Sequence, residues 1–309
     1  MRIGIDLGGT KIAAIALDPQ GNCLYQRRIP TPAGDYQATL EALSGLVQAI
    51  EEETGQSGSI GIGTPGSASP ATGLIRNANS TCLNGKPLQE DIERLLQRPI
   101  RIANDADCFA LSEATDGVAA GADSVFGVII GTGTGAGIVI RGQLFIGANR
   151  IAGEWGHNPL PWPTPSELPG APCYCGKRGC IETFLSGTGL CGQYYQTTGM
   201  QITGEDFADR LTAKETAAEE VMALYEDRLA RSLASVINII DPTMIVLGGG
   251  LSNLTRLYQN IPTLWSRYIF SDVVSTQLLP PAHGDSSGVR GAAWLWEVNE
   301  EHQRNREQI

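Results

Sequence analysis

Apolar positions in the first third of the chain switch between two periods. Arg2–Leu7 is a dense β-rich run, Ile12–Leu17 follows a glycine turn, and Cys23–Ile29 follows Pro19-Gln20-Gly21, so three successive strands are predicted. Tyr36, Leu40, Leu43, Val47 and Ile50 then recur at helical spacing, with a stop near Gly55. A strand at Ser59–Gly63, a helix around Leu88–Leu96, a strand at Ile100–Ala103 and a helix from about Ala106 to Ala114 complete the order β-β-β-α-β-α-β-α. The second half repeats this opening with a strand at Val125–Ile130, a turn at Gly131–Gly137, and strands at Ile138–Ile140 and Gln143–Ile146. A Pro-, Trp- and Cys-rich insertion spans about Arg150 to Leu185. One long helical stretch then runs to Ile240, with Val221, Tyr225, Leu229, Leu233, Val236 and Ile240 on one face, and Asp241-Pro242 ends it. Thr243–Leu247 is a strand entering Gly248-Gly249-Gly250; a helix near Leu254–Tyr268, a short strand near Val273–Leu278 and a helix near Val289–Glu297 follow. The pattern is that of one α/β unit used twice, each copy opening on a glycine-turned hairpin.

A length of 309 residues exceeds what one core holds, so two domains are expected. The net charge of −11 excludes a nucleic-acid partner, which needs a basic stripe, but not a nucleotide, whose phosphates backbone N–H groups and Mg²⁺ can meet. The apolar uncharged stretch Ser124–Ile140 is broken by glycines and too short for a bilayer, and the first residues carry no signal-peptide pattern. A soluble, cytoplasmic protein with no membrane partner is expected. Seven cysteines, three of them within Cys173–Cys180, suit a reducing compartment and a metal site better than disulfides.

Two glycine turns stand at equivalent places, Asp6-Leu7-Gly8-Gly9-Thr10-Lys11 and Gly131-Thr132-Gly133-Thr134-Gly135. Residues without side chains let the backbone reach a phosphate; Thr10 and Thr132 add hydroxyls, and Asp6 can hold Mg²⁺ through water. Lys11 is either a phosphate contact or a solvent-facing strand residue. Gly248 and Gly249, after a strand, can admit adenine and ribose against backbone. No P-loop occurs, and Gly61-Ile62-Gly63-Thr64-Pro65-Gly66 matches a dinucleotide fingerprint in letters only, since prolines follow where a helix should open. Asp105 follows a predicted strand, as a general base at a strand end or, with Asn104, as a helix cap.

Asp6–Thr10, Asn104-Asp105, Gly131–Gly133, Gly153-Glu154-Trp155-Gly156-His157, the run Cys173-Tyr174-Cys175-Gly176 to Gly179-Cys180-Ile181-Glu182, and Leu247–Gly250 fall in the order of the ROK sugar kinases, which the chain resembles from Arg2 to about Trp296. Within that family, Asn77–Thr81 and Glu154–Trp162 look most like bacterial fructokinases that also accept mannose. The resemblance implies a duplicated actin-like, ribonuclease-H-like ATPase fold with two lobes around a cleft. The expected division is a small lobe, residues 1–117 with about 290–309, and a large lobe, 118–289, carrying the insertion. It implies phosphorylation of a free hexose by ATP, D-fructose giving fructose 6-phosphate, with Asp105 as base. It further implies that Asn104, Asp105, Glu154, His157, Glu182, Gly66 and Asn79 line the sugar pocket, and that the protein is a homodimer. Cys173, Cys175, Cys180 and His157 make a closed tetrahedral set for a structural Zn²⁺, which would aim His157 and Glu182 at the sugar.

The alternatives are a kinase for glucose, mannose, N-acetylglucosamine or N-acetylmannosamine, a sugar-responsive repressor, and a non-catalytic sugar-binding protein. The repressor needs a helix-turn-helix ahead of the first strand, and none is expected here. Of the remaining histidines, His283 reads as a turn residue and His302 as a solvated tail residue.

Overall fold

The structure is a computed structural model and describes residues 1–296; Glu297 of the expected last helix, His302 and the rest of 297–309 lie outside the described residues. The chain opens with β1 (Arg2–Leu7), β2 (Lys11–Leu17), β3 (Cys23–Pro30), α1 (Tyr36–Thr54) and β4 (Ser59–Thr64). Next come a small hairpin of β5 (Ser67–Ala68) and β6 (Ile75–Arg76), then α2 (Leu88–Leu96), β7 (Arg101–Asn104) and α3 (Asp105–Thr115). The later part holds β8 (Ser124–Ile130), β9 (Thr134–Ile140), β10 (Gln143–Leu144), α4 (Glu182–Leu185), α5 (Gly187–Thr198), α6 (Gly204–Thr212) and α7 (Thr216–Ile240). It closes with β11 (Met244–Gly248), α8 (Arg256–Leu264), β12 (Gln277–Leu279) and α9 (Ser287–Ala293).

Two five-stranded sheets result, in the orders β3-β2-β1-β4-β7 and β10-β9-β8-β11-β12. In the first, β1 pairs antiparallel with β2 and parallel with β4; in the second, β8 pairs parallel with β11, and β11 with β12. Both sheets thus set a hairpin meander beside parallel strands fed by helical crossovers, which is the duplication expected from the strand order. The chain divides into two compact units, Met1–Gly121 with Gly137–Ala152 and 282–309, and Ala122–Ala136 with Gly153–Pro281.

Local chemistry accounts for the elements that hold the first unit. Asp35 caps α1 by accepting the Ala38 N–H, and Gly55, at φ 64°, stops it. The face carrying Leu40, Leu43, Val47 and Ile50 is buried in one core cluster with Ile3 and Ile5 of β1 and Ile60 and Ile62 of β4. Each such side chain contributes about 1.5–3 kcal/mol. The opposite face of the meander packs Ala13, Ile15 and Leu17 on Val289 and Ala293 of α9. Gly61, the first glycine of the rejected dinucleotide fingerprint, has a packing role: a Cβ there would overlap the Ala292 carbonyl of α9.

Several elements differ from the sequence reading, among them β10, which keeps only Gln143–Leu144 of the expected Gln143–Ile146. The turn expected over Gly131–Gly137 is shorter, because β9 begins at Thr134. Gly137 lies inside the strand, where a side chain would press on Ala106 and Asp107 of α3. The long helical stretch ending at Ile240 is three helices, broken at Gly199, with φ 74°, and at Ala213–Glu215. The strand near Val273–Leu278 shrinks to Gln277–Leu279.

The proline-rich stretch after His157 is pinned from beneath. Arg231 of α7 donates to the carbonyls of Pro161 and Trp162, at 3.0 and 2.7 Å. Arg228 and Arg231 both reach Glu167, at 2.8 and 2.5 Å. Burial alone would raise the Glu167 carboxyl; the hydrogen bonds from Arg231 and Arg228 outweigh it and hold it at about 2. Among the described residues, no helix is long and apolar enough to cross a membrane.

Candidate active site

In the first unit, register explains which groups meet. Asp6 of β1 pairs with Ala13 of β2 and with Gly63 of β4; Ala13 pairs with Arg28 of β3, and Gly63 with Ala103 of β7. Residues directly opposite each other share a sheet face. Asp6 and Arg28 therefore lie in one row, which ends two residues short of Asp105. Burial, and after it the charge of Asp105, raise the Asp6 carboxyl to about 6 against the lowering effect of Arg28 and Lys11. Its two oxygens lie against Gly63 and Gly288. Nothing in the sequence pattern of β3 singled out Arg28; only pairing across two strands brings it to Asp6.

The first glycine turn is a tight hairpin in which the Gly8 N–H donates to the Lys11 carbonyl at 3.1 Å and the Thr31 hydroxyl to the Gly8 carbonyl at 2.7 Å. Gly9, Thr10 and Lys11 are exposed at its tip. The cap reading of Asn104-Asp105 is realised by Asn104. Asn104 caps α3, accepting the Ala106 N–H at 2.9 Å while its amide donates to the Gly66 carbonyl at 3.0 Å. Asp105, the first residue of α3, is exposed and also accepts the Ala106 N–H. Gly66, at φ 75°, lies so close to the chain at Arg76 and Ala78 that a Cβ would not fit. Asn79 follows, exposed, and its neighbour Ser80 places its hydroxyl toward Gly9. Asp6, the Gly8–Thr10 turn, Gly66, Asn79, Asn104 and Asp105 thus form one neighbourhood.

The second unit holds the other expected groups. Leu160 and Ile181 donate backbone hydrogen bonds to Gly179 and Asn158, tying the segment after His157 to the segment around Cys180. The knuckle Cys173–Lys177 is closed by the Cys173 N–H on the Lys177 carbonyl at 2.8 Å. The ligand atoms of His157, Cys173, Cys175 and Cys180 consequently lie within 4.8 Å of one another. A tetrahedral Zn²⁺ with thiolates at about 2.3 Å spaces its ligands about 3.8 Å apart. The distances Cys173 Sγ to His157 Nδ1, 3.5 Å, and Cys175 Sγ to Cys180 Sγ, 3.6 Å, fit that shape. His157 turns its Nδ1 to the cysteines and its Nε2 to the Tyr174 hydroxyl, at 2.9 Å, with Glu154 Oε2 3.9 Å away.

Glu182 ties this cluster to the second glycine turn. It accepts the Thr134 N–H at 3.1 Å, lies 3.9 Å from Cys173 Sγ, and would sit 3.0 Å from a Cβ at Gly133. Next to that turn opens a cavity of about 1320 Å³, lined by Gly131, Thr132, Thr188, Tyr195, Ile202 and Leu254 among others. The start of α5 holds the turn: the Gly187 N–H donates to the Gly131 carbonyl at 2.7 Å and the Thr188 hydroxyl to the Thr132 carbonyl at 3.3 Å. Gly248 and Gly249 back this cavity rather than line it. Gly249, at φ 81°, packs on Ile130 and Gly131, and Gly250 and Asn253 reach the cavity wall instead. Thr188, Tyr195 and Ile202 escaped the sequence reading, which merged α5 and α6 into one long helical stretch.

Superposition on solved structures gives the fold its name. The chain matches a ROK hexokinase from Thermus thermophilus with a TM-score of 0.86 at 29% identity, over 97% of this chain and 99% of that one. It matches a ROK family glucokinase from Streptomyces griseus, solved with glucose and AMPPNP, with a TM-score of 0.78 at 26% identity, over 95% and 98% of the two chains. The two sheets are those of the duplicated actin-like ATPase fold. Residues 2–299 match the ROK family, and the chain belongs to it. It is 38% identical over 302 residues to an N-acetyl-D-glucosamine kinase of Yersinia pseudotuberculosis, covering 96% of this chain and 98% of the relative. That relative corrects the fructokinase expectation: nearly the whole chain aligns with an amino-sugar kinase, whereas the fructokinase likeness rested on two short segments.

Proposed function

We propose that the protein phosphorylates a free hexose with ATP, and that the hexose is an N-acetylated amino sugar, N-acetyl-D-glucosamine before others. The observation that carries the kinase reading is the cavity beside Gly131–Thr132, where glycine-turn backbone able to meet phosphate stands next to apolar side chains such as Ile202, Leu251 and Leu254. Similarity to a glucokinase solved with a sugar and an ATP analogue supports it, and the amino-sugar choice rests on the kinase of Yersinia pseudotuberculosis.

Phosphoryl transfer needs in-line positioning, neutralised charge and an acceptor for the hydroxyl proton. Gly131, Thr132 and the start of α5 would hold phosphates, and the Gly8–Lys11 turn is the first unit's candidate for phosphate contacts. Asp6 would hold Mg²⁺ through water, and the ion would neutralise phosphate charge. Glu154, His157 and Glu182 would bond sugar hydroxyls, and Asn79, Asn104 and Gly66 are the first unit's candidates for the same role. Asp105, exposed at the start of α3, would take the proton from the attacking hydroxyl. The four-ligand metal set leaves no open position for water, so Zn²⁺ would be structural, fixing His157 and Glu182.

A coupled ADP-release assay over hexoses and N-acetylated amino sugars tests this. N-acetyl-D-glucosamine should give the highest kcat/KM. Asp105→Asn should lower kcat by about 10²–10⁴-fold while ATP binding persists. If no sugar raises ADP release above that variant, the kinase reading fails; if fructose leads the panel, the likeness of Glu154–Trp162 to fructokinases outweighs the full-length identity.

A further inference from the structure

The cavity beside the second glycine turn has a direction. Gly131 and Thr132 stand at one end with Thr188, in the first turn of α5, and α5 then lends the wall Cys191 and Tyr195. Steps of three and four residues keep these side chains on one helix face. At about 1.5 Å per residue, Tyr195 lies roughly 10 Å beyond Thr188. A nucleotide with its phosphates at the glycine turn therefore extends along α5, ribose first and base after it.

The start of α6 meets that wall partway along. Phe207 of α6 packs edge-on against Tyr194 of α5, with ring centroids 5.9 Å apart. Burial, and after it the charge of Asp206, raise the Cys191 thiol, which agrees with a first turn of α6 lying near Cys191. In that turn two acidic residues divide their work. Asp206 closes a capping box: its carboxylate accepts the Thr203 N–H at 2.9 Å and the Thr203 hydroxyl at 2.8 Å, while the same hydroxyl accepts the Asp206 N–H at 3.1 Å. Glu205 takes no part in the cap. It lines the cavity, and among the described residues its carboxylate has no hydrogen-bond partner.

Among the described residues that line the cavity, Glu205 supplies the one carboxylate, and no Lys, Arg or His stands with it. A carboxylate set directly against phosphates would repel them, so its place is opposite an uncharged part of the nucleotide. It accepts hydrogen bonds and donates none, and its two oxygens match a vicinal diol, which offers two O–H donors. The ribose is such a diol, and acidic side chains meet ribose hydroxyls in the same way in dinucleotide-binding folds.

We propose that Glu205 is a nucleotide-specificity residue that accepts hydrogen bonds from the ribose hydroxyls of ATP. The proposal rests on the reading of this cavity as the ATP site of a hexose kinase. Glu205 then selects a ribonucleotide over its deoxy forms and takes no part in sugar binding.

Calorimetric titration of the full chain with ATP and with 2′,3′-dideoxy-ATP, each with Mg²⁺ and without sugar, reads the difference. The parent should bind ATP about tenfold more tightly than the dideoxy form, the scale of hydrogen bonds to a charged acceptor. Glu205→Ala should weaken ATP by that same factor and leave the dideoxy form within about twofold, so that the preference disappears. Glu205→Gln, which keeps one acceptor oxygen, should fall between. Steady-state assays of Glu205→Ala should show the matching rise in ATP KM, with the KM for N-acetyl-D-glucosamine within about twofold of the parent. Equal weakening of the two nucleotides in Glu205→Ala overturns the proposal, since the carboxylate would then serve the base, the phosphates or α6 itself. So does a preference for ATP that survives the substitution. Nucleotide binding by a parent that phosphorylates no hexose would end the kinase reading alone, with Glu205 still judged by the two affinity ratios. A parent that binds no nucleotide would end both.

Discussion

Asp6 keeps its carboxyl group between Gly63 and Gly288, with Asp105 close enough to resist its ionisation. Its proton is held to about 6 in the folded chain, against an ordinary 3.8. The sign of the stability effect follows. Between those two values the folded state binds the proton more strongly than the unfolded state, so stability falls as pH rises, and above about 6 the full cost of the ionised group is present. The gap of about two units corresponds to roughly 3 kcal/mol at most. Asp6→Asn, measured by thermal melts without Mg²⁺ or nucleotide, should melt several degrees higher than the parent at pH 8, with the gain shrinking toward pH 4. An equal gain at both pH values would mean that the carboxylate is not the source. The Asp6 position was legible from the sequence as a carboxylate before a glycine turn. Its perturbation was not, because that depends first on burial in the fold and then on Asp105, 99 residues along the chain and two strands across the sheet.

Element by element, the best-read segments were those whose own caps and periodicity suffice. α1 starts on Asp35 and stops on Gly55, and β1 to β3 fall where the glycine turns put them. β9 was cut short because its glycines look like a turn; Gly137 lets α3 approach, which no local pattern encodes. α3 is itself held by a contact invisible to sequence. Glu113, with no exposed surface, accepts the Val118 and Ala282 N–H groups on one oxygen, at 3.1 and 3.0 Å, and the Ser287 hydroxyl on the other, at 2.7 Å. One carboxyl group thus fastens the helix that begins at Asp105 to the segment leading into α9. Glu113→Gln keeps an oxygen for the two N–H groups and turns its NH₂ to Ser287, which still donates to Gly284 at 3.0 Å. Urea denaturation should place that variant within about 1 kcal/mol of the parent. Glu113→Ala removes the partner of two part-buried N–H groups and of the Ser287 hydroxyl and opens a cavity, and should cost about 2–5 kcal/mol. Equal losses in the two variants would refute this account of the carboxyl group.

For the whole molecule, the metal cluster carries the clearest consequence. Four ligands drawn from two segments of the insertion meet only because backbone pairing joins 158–160 to 179–181, and losing the metal would free that pairing as well. The purified protein should hold about one Zn²⁺ per chain by elemental analysis. Cys180→Ser, at a position only 1% exposed, should lose most of it, lower the melting temperature by about 5 °C or more and raise the sugar KM above the ATP KM in fold-change. Full zinc retention in that variant would remove Cys180 from the set.

The sequence by itself determined most of the strand order, the duplication, the two glycine turns, the cysteine and histidine spacing and the family, since these are written in short segments along the chain. Only the tertiary structure decided that Arg28 stands in the row of Asp6, that Thr188, Tyr195 and Ile202 wall a cavity beside Thr132, and that Tyr174 meets His157 Nε2. Those meetings depend on strand register, on where one helix breaks into three, and on which nitrogen an imidazole turns to its thiol partners. Such distances are settled by packing between segments far apart in the chain, and composition or periodicity carries no record of them.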